Sequence, residues 1–194
     1  MMETYAVLVC DKLAVAGCSR SEIILNERNY IEDWNKNFIK SVETIIGMKG
    51  AAFTAACMCK AQAIDMLMYY NARPTVFNGM FDFYTLRPLK GYSFIMFADL
   101  YELKQQIFCQ CSGNNLYAVA AAAEEMGKCM IVHFSNDANV SATEFSLHIK
   151  GGDSRFRSYT LLNDKNTLTA EQLRLENGTG ILTLQPNTVI LLRF

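Results

Sequence analysis

The stretch Glu22-Ile23-Ile24-Leu25-Asn26-Glu27-Arg28-Asn29-Tyr30 sets a short apolar strand core against an immediate run of polar groups. Towards the N-terminus, residues 17–20 read as a turn. Residues 1–16 read as a helix on which Tyr5, Leu8 and Val9 form a face, with Leu13 and Val15 beside it. Glu3, Asp11 and Lys12 interrupt that apolar run, and no basic segment precedes it, so it lacks the pattern of a secretory signal. Towards the C-terminus, residues 34–48 show helical spacing through Phe38, Val42, Ile45 and Ile46, starting at Trp34, which reads as a packing anchor. Residues 51–63 form a second, small-residue helix. The run Asp65-Met66-Leu67-Met68-Tyr69-Tyr70 is short, apolar and bounded by loop signals, as a buried parallel strand is. Residues 71–88 then read as a long loop with Pro74, Asn78-Gly79 and Pro88, and residues 89–103 as an aromatic-rich helix. Strands alternating with helices imply parallel pairing under helical cover.

Beyond Lys104 the period changes. Residues 116–123, 128–135, 144–150, 156–162, 180–184 and 188–194 are strand candidates. Alternation is clearest in Phe145-Ser146-Leu147-His148-Ile149 and Ile181-Leu182-Thr183-Leu184. Gly113-Asn114-Asn115, Gly151-Gly152-Asp153 and Asn177-Gly178 supply turn chemistry between them. Short strands at this spacing predict an antiparallel sandwich of about eight strands. The expected organisation is therefore an α/β part in residues 1–104 and an all-β part in residues 105–194.

The bulk composition narrows the function. Of the 194 residues, 51% are hydrophobic and 19% charged, enough apolar material for a real core. A net charge of -1 without any basic run argues against nucleic acid or an anionic membrane as partner. No apolar stretch approaches the ~20 residues that span a bilayer. The seven cysteines are odd in number and irregularly spaced, so they do not form a disulfide framework. Cys57 and Cys59 point to separate faces of a helix, and no His lies near them or near Cys109 and Cys111, so buried apolar thiols are expected rather than a zinc site. Free thiols favour a reducing, cytoplasmic setting. No cofactor or metal is expected. His133 and His148 lie within strands, away from carboxylate or Cys clusters, and read as structural or surface residues.

An α/β first part fits either a piece of a (β/α)8 barrel or an open doubly wound sheet. No Gly-x-Gly-x-x-Gly and no Gly-x-x-x-x-Gly-Lys follows a strand, which removes the sharpest signals for a nucleotide fold. A barrel needs ~250 residues, so residues 1–104 have room for only two βα units and a leading helix. In such a barrel the strand ends form the active-site face, which makes Asn26, Glu27, Asn29 and Tyr30 site candidates. Tyr69, Tyr70, Asn71 and Arg73 end the next strand. Aromatic faces stack on sugar C–H faces, and Asn and Arg hydrogen-bond hydroxyls. Tyr69 and Tyr70 alternate across the strand, so only one of the two can face a pocket.

The run Leu25-Asn26-Glu27-Arg28-Asn29-Tyr30 resembles the Thr/Asn-Glu-Trp-Asn segment on the seventh barrel strand of glycoside hydrolase family 39, the β-xylosidase-like retaining enzymes. The similarity continues through Ile45-Ile46-Gly47-Met48-Lys49-Gly50-Ala51-Ala52-Phe53, Met66-Leu67-Met68-Tyr69-Tyr70-Asn71-Ala72-Arg73-Pro74 and Phe77-Asn78-Gly79-Met80-Phe81-Asp82, then Pro88-Leu89-Lys90-Gly91-Tyr92. Arg28 stands where the family pattern has Trp, and Asn71 where relatives show Asp. The resemblance implies a C-terminal portion of such an enzyme, carrying the last two barrel strands and a β-sandwich, with Glu27 as nucleophile. It also implies a carbohydrate substrate, a β-xyloside or related β-linked sugar. The family's acid/base Glu lies in an Asn-Glu-Pro motif after the fourth strand, and the sequence contains no Asn-Glu-Pro. Two readings stay open: a glycosidase fragment inactive alone, or a non-catalytic remnant or carbohydrate-binding β-sandwich module. Part of a barrel leaves apolar surface uncovered, so a homo-oligomer or a partner supplying the N-terminal barrel segment is expected.

Overall fold

The computed structural model describes residues 2–27, 30, 36–71, 79–81, 89–124, 126–150 and 156–194. Helix α1 spans Met2–Val15. It closes in a Schellman motif: Gly17 N–H donates to Ala14 O at 3.0 Å, and Cys18 N–H to Leu13 O at 2.8 Å. Gly17 sits at φ 78°, a left-handed conformation that costs glycine nothing. Strand β1 is Ile24–Leu25. Helix α2, Phe38–Ile46, is capped by Asn37, whose Oδ1 accepts from Lys40 N–H at 3.0 Å. Helix α3, Met48–Lys60, leaves α2 at a bend of 58°. Gly47 occupies the bend, where a Cβ would lie 2.7 Å from Glu43 O. Strand β2 is Met66–Leu67 and helix α4 is Leu89–Tyr101. Among the described residues no single helix is long and apolar enough to cross a membrane.

The rest is strand: β3 Gln105–Ile107, β4 Leu116–Ala123, β5 Met126–His133, β6 Thr143–His148, β7 Phe156–Leu162, β8 Thr169–Arg174, β9 Thr179–Leu184 and β10 Thr188–Arg193. Six of these form one sheet in the order β3-β4-β5-β10-β7-β8, and β6 pairs with β9 in a second. Every pairing among the eight is antiparallel. The eight-stranded antiparallel expectation is met, and the chain as a whole mixes helix and sheet. Strands β3 and β8 are the two that the sequence does not signal. Both are edge strands, and β8 exposes every residue except Leu173. An edge strand is free to be polar and so carries no alternation.

The central strands of the six-stranded sheet, β4, β5 and β10, are covered on both faces. One face, with Val119, Ala121, Met130, Val132, Leu162, Val189 and Leu191, packs against Met48, Ala51, Ala52, Ala55 and Met96 of α3 and α4. The other, with Ala120, Cys129, Ile131, Ile190 and Leu192, packs against Leu182 and Leu184 of β9. Successive residues of a strand point to opposite faces, so β5 and β10 must be apolar at nearly every position. Strand β6 covers one face only, and so it alternates, with Phe145 and Leu147 turned inward and Glu144, Ser146 and His148 exposed. Alanines on α3 and at Ala121 let helix and sheet approach closely, and each fully buried Val, Leu or Met contributes about 1.5–3 kcal/mol.

A charge cluster fixes α4 to this sheet. Lys128 and Arg193 are direct cross-strand partners on β5 and β10, a pairing of like charges that is unfavourable alone. Asp99 of α4 sits between them. Its Oδ1 accepts from Lys128 Nζ, and its Oδ2 accepts from Arg193 Nη2 at 2.8 Å. Lys128 Nζ also donates to Asp99 O at 2.8 Å, and Arg193 Nη1 to Thr160 Oγ1 at 2.7 Å. Burial raises the Asp99 carboxyl, but the hydrogen bonds and charges of Lys128 and Arg193 outweigh it and hold the pKa below its ordinary 3.8.

The Lys128 side chain is only 8% exposed, so removing its counter-charge leaves a buried ammonium. Asp99→Ala is expected to cost about 2–3 kcal/mol in urea unfolding, less than a fully buried pair because the carboxylate is partly in water. A depressed carboxyl contributes stability that is present above 3.8 and is lost as the pH falls through its folded value. The native chain is therefore expected to lose more stability than Asp99→Ala as the pH falls below 3.8. Equal losses in the two proteins would contradict the assignment.

Candidate functional site

Strands β1 and β2 pair in parallel, with Ile24 opposite Met66 and Leu25 opposite Leu67. Met68 N–H donates to Leu25 O at 2.9 Å and Met66 N–H to Ile23 O at 3.3 Å. Asp65 Oδ2 accepts from Ile23 N–H at 2.7 Å, which pins the start of the pair. Parallel pairing brings both C-terminal ends to the same end of the ribbon. Asn26 and Glu27 leave β1 there, and Met68, Tyr69, Tyr70 and Asn71 leave β2 there. Asp65, a carboxylate close in sequence to this site, lies at the opposite end.

Glu27 and Asn26 are exposed, and Asn71 is half-buried. Tyr69 turns inward, its ring 5.7 Å from that of Phe94 on α4, while Tyr70 is 46% exposed. The two tyrosines lie past the end of β2, Tyr69 turned inward and Tyr70 outward. Met80 N–H donates to Asn71 O at 2.9 Å and brings residues 79–81 alongside. Arg28, Asn29, Trp34 and Arg73 lie outside the described residues.

Tyr30 stands apart from the other site candidates. It is 7% exposed, with its ring 5.1 Å from Phe53 of α3 and 5.9 Å from Phe134, just past β5. Its hydroxyl donates to Asn136 Oδ1 at 3.1 Å. Lys49 Nζ lies 5.7 Å from the ring centroid and donates to Asn136 O at 3.2 Å. An aromatic ring placed after a strand core signals either a sugar platform or a core anchor, and nothing local tells them apart. The contacts, which span more than a hundred residues of sequence, make it an anchor between the β1 segment, α3 and the sheet.

The histidines are structural. His133 is fully buried, and its Nδ1 faces Leu184 O and Gln185 O, both at 3.1 Å. Two carbonyls can only accept, so Nδ1 carries the proton and Nε2 accepts from Thr143 Oγ1 at 3.3 Å. The ring thereby ties β5 to β9 and β6 across the sandwich. His148 meets Thr179 Oγ1 at 3.1 Å on the exposed face. Cys57 and Cys59 are buried in α3, and burial pushes the Cys59 thiol well up, with neighbouring thiols adding to the effect. Among the described residues no three His, Cys, Asp or Glu side chains are arranged to hold a metal ion.

No family model and no curated protein matches the sequence. Solved structures do match. A glucosidase from Croceicoccus marinus superposes with a TM-score of 0.69 at 13% identity, over 98% of this chain and 49% of that one. The fold is shared with glycoside hydrolases. A family 30 subfamily 8 xylanase from Clostridium acetobutylicum gives a TM-score of 0.65 at 11% identity, over 93% of this chain and 44% of that one. A family 44 xyloglucanase from Paenibacillus polymyxa gives 0.66 at 10% identity, over 97% and 35%. This chain spans less than half the length of each.

If Tyr30 is an anchor, Tyr30→Phe removes one buried hydrogen bond and keeps the ring packing. The expected cost is about 1 kcal/mol in denaturant unfolding. A variant as stable as the native chain would deny the Asn136 contact any weight.

Proposed function

We propose that this chain is the C-terminal part of a retaining β-glycosidase of the xylosidase type found in glycoside hydrolase family 39. In this reading residues 1–104 supply the last two βα units of a (β/α)8 barrel, and residues 105–194 an accessory β-sandwich. The observation that carries it is the parallel register of β1 and β2, which brings Asn26-Glu27 and Tyr70-Asn71 to one end, in a chain whose fold is shared with glycoside hydrolases. Glu27 is the nucleophile that attacks the anomeric carbon. A second carboxyl, about 5–5.5 Å away, protonates the leaving oxygen and then activates water. That residue comes from outside this chain. Asn26, Asn29, Asn71 and Arg73 serve sugar hydroxyls, and Tyr70 offers a face to the ring.

Exposed apolar side chains support the missing-wall reading. Val15, Ile24, Ile39, Met66 and Met68 are between 41% and 90% exposed, all in the α/β part. The preceding six βα units of a barrel would cover such a surface, as would a second copy of the chain. A second reading, a non-catalytic sugar-binding or structural module, is favoured by the exposure of Glu27 within this chain.

The coding sequence immediately before Met1 separates the two readings. The first expects it to encode six strands with an Asn-Glu-Pro after the fourth. The joined polypeptide is expected to hydrolyse an aryl β-xyloside, and Glu27→Ala to lower kcat on the order of 10³-fold or more. The 194-residue chain alone is expected to give no turnover above the blank, since a missing general acid removes on the order of 10²–10⁴-fold and the pocket walls go with it. Full activity in the joined Glu27→Ala variant would overturn the nucleophile assignment. Turnover by the chain alone that vanishes in Glu27→Ala would overturn the need for an outside acid.

A further inference from the structure

Two sulfur atoms from distant parts of the sequence meet on the sandwich face of the large sheet. Cys109 Sγ and Cys129 Sγ lie 3.9 Å apart. The register explains how they reach one another. Ala120 of β4 pairs with Ile107 on one side and with Cys129 on the other. Cys109 lies two residues past Ile107, so its side chain falls on the same face as Ile107, Ala118, Ala120 and Cys129, and it packs in the same cluster. The intervening strand presents only methyl groups at Ala118 and Ala120, which leaves the sulfurs free to approach across it.

The two thiols are unequal. Cys129 is 5% exposed, and Cys109 is half-buried. The hydrogen bond between the two sulfurs brings the Cys109 thiol down to about 7, against the opposing effect of burial. Cys129 is pushed well up, by that same hydrogen bond first and then by burial, and its Sγ also donates to Met130 O at 3.7 Å. One sulfur is therefore reachable and ionised near neutrality, and the other is protected behind it. Cys109 also lies beyond the last paired residue of β3, in a segment without strand pairing. A disulfide has S–S near 2.05 Å and needs its two Cα atoms within about 7 Å of one another, so with β4 between them the backbone of the unpaired segment at Cys109 must move towards β5 for the bond to form.

We propose that Cys109 and Cys129 form a thiol modification site, in which Cys109 reacts with a low-molecular-weight disulfide and Cys129 resolves the adduct. In the first step the Cys109 thiolate attacks one sulfur of the small disulfide, forming a mixed disulfide and releasing one thiolate. That thiolate takes the proton of Cys129. The Cys129 sulfur then attacks the sulfur of Cys109, breaks the mixed bond and expels the second thiolate, which takes a proton from solvent. Two protein thiols are oxidised to one disulfide, and the small disulfide is reduced to two thiols. The product staples the segment that leaves the helical layer, just after β3, to the central strand β5.

The test is incubation of the whole chain with oxidised glutathione near neutral pH, followed by intact mass and peptide mapping. The expected result is a loss of two hydrogens and a peptide joining Cys109 to Cys129, reversed by dithiothreitol. Cys129→Ala is expected to stop at one glutathionyl group on Cys109. Should that variant fold poorly, Cys109→Ser, which changes the half-buried partner, is expected to leave Cys129 unmodified under native conditions. Glutathione found on Cys10, Cys18 or Cys111 with Cys109 untouched would overturn the proposal. So would a crosslink joining Cys129 to a residue other than Cys109.

Discussion

The helices and the second sheet lean on a sheet whose central strands have no outer face. Strands β5 and β10 lie at its centre and are covered by α3 and α4 on one side and by β9 on the other. A strand in that position cannot spare alternate positions for polar side chains. Met130, Ile131, Val132, Val189, Ile190, Leu191 and Leu192 are accordingly buried without interruption. Lys128, Arg193, His133 and Thr188 are the polar exceptions at the ends of the two strands; the first three each meet a specific partner, while the buried Thr188 Oγ1 meets none. Lys128 and Arg193 share Asp99, and His133 reaches two carbonyls.

The candidate site hangs from this sheet through a short chain of contacts. Tyr69 packs on Phe94 of α4, and α4 is bound to β5 and β10 through Asp99. Tyr30 reaches Phe53 of α3 and Phe134 at the end of β5. Each of the two strand ends that carry Glu27 and Tyr70 is thus backed by an aromatic fixed to the same rigid layer. Asn26, Glu27 and Tyr70 are exposed, while Tyr30 and Tyr69 beside them are turned into the core. That division is what a site of reliable geometry needs, because the exposed groups have little packing of their own.

Much of the fold was legible in the sequence because burial leaves a pattern. The small-residue helix over 51–63 and the alternation in 144–150 were readable from which faces are apolar; the run 65–70, expected as a buried parallel strand, pairs in parallel at Met66–Leu67 and leaves Met66 and Met68 exposed. The edge strands were not, since Gln105-Gln106-Ile107 and Thr169–Arg174 bury almost nothing. For the site, the strand-end position of Glu27 could be read, as could the division between Tyr69 and Tyr70. The anchoring role of Tyr30 could not, because its partners Phe134 and Asn136 are remote in the chain. Asp99 was equally silent: an acidic residue in an aromatic helix gives no hint that two cations from separate strands converge on it.

The shared core also bears on how such a chain is inherited. Helix α4 ends at Tyr101 and β3 begins at Gln105, so the covalent junction between the helical part and the sandwich is only a few residues long. The hydrophobic cluster does not respect that junction, since Ala52 and Met96 sit in it with Val132 and Leu191. A recombination event at the junction would divide the gene neatly and divide a single core in two. Each product would expose the face that the other had covered. The last helices and the sandwich are therefore expected to travel through evolution as one cassette, however distinct their secondary structures look.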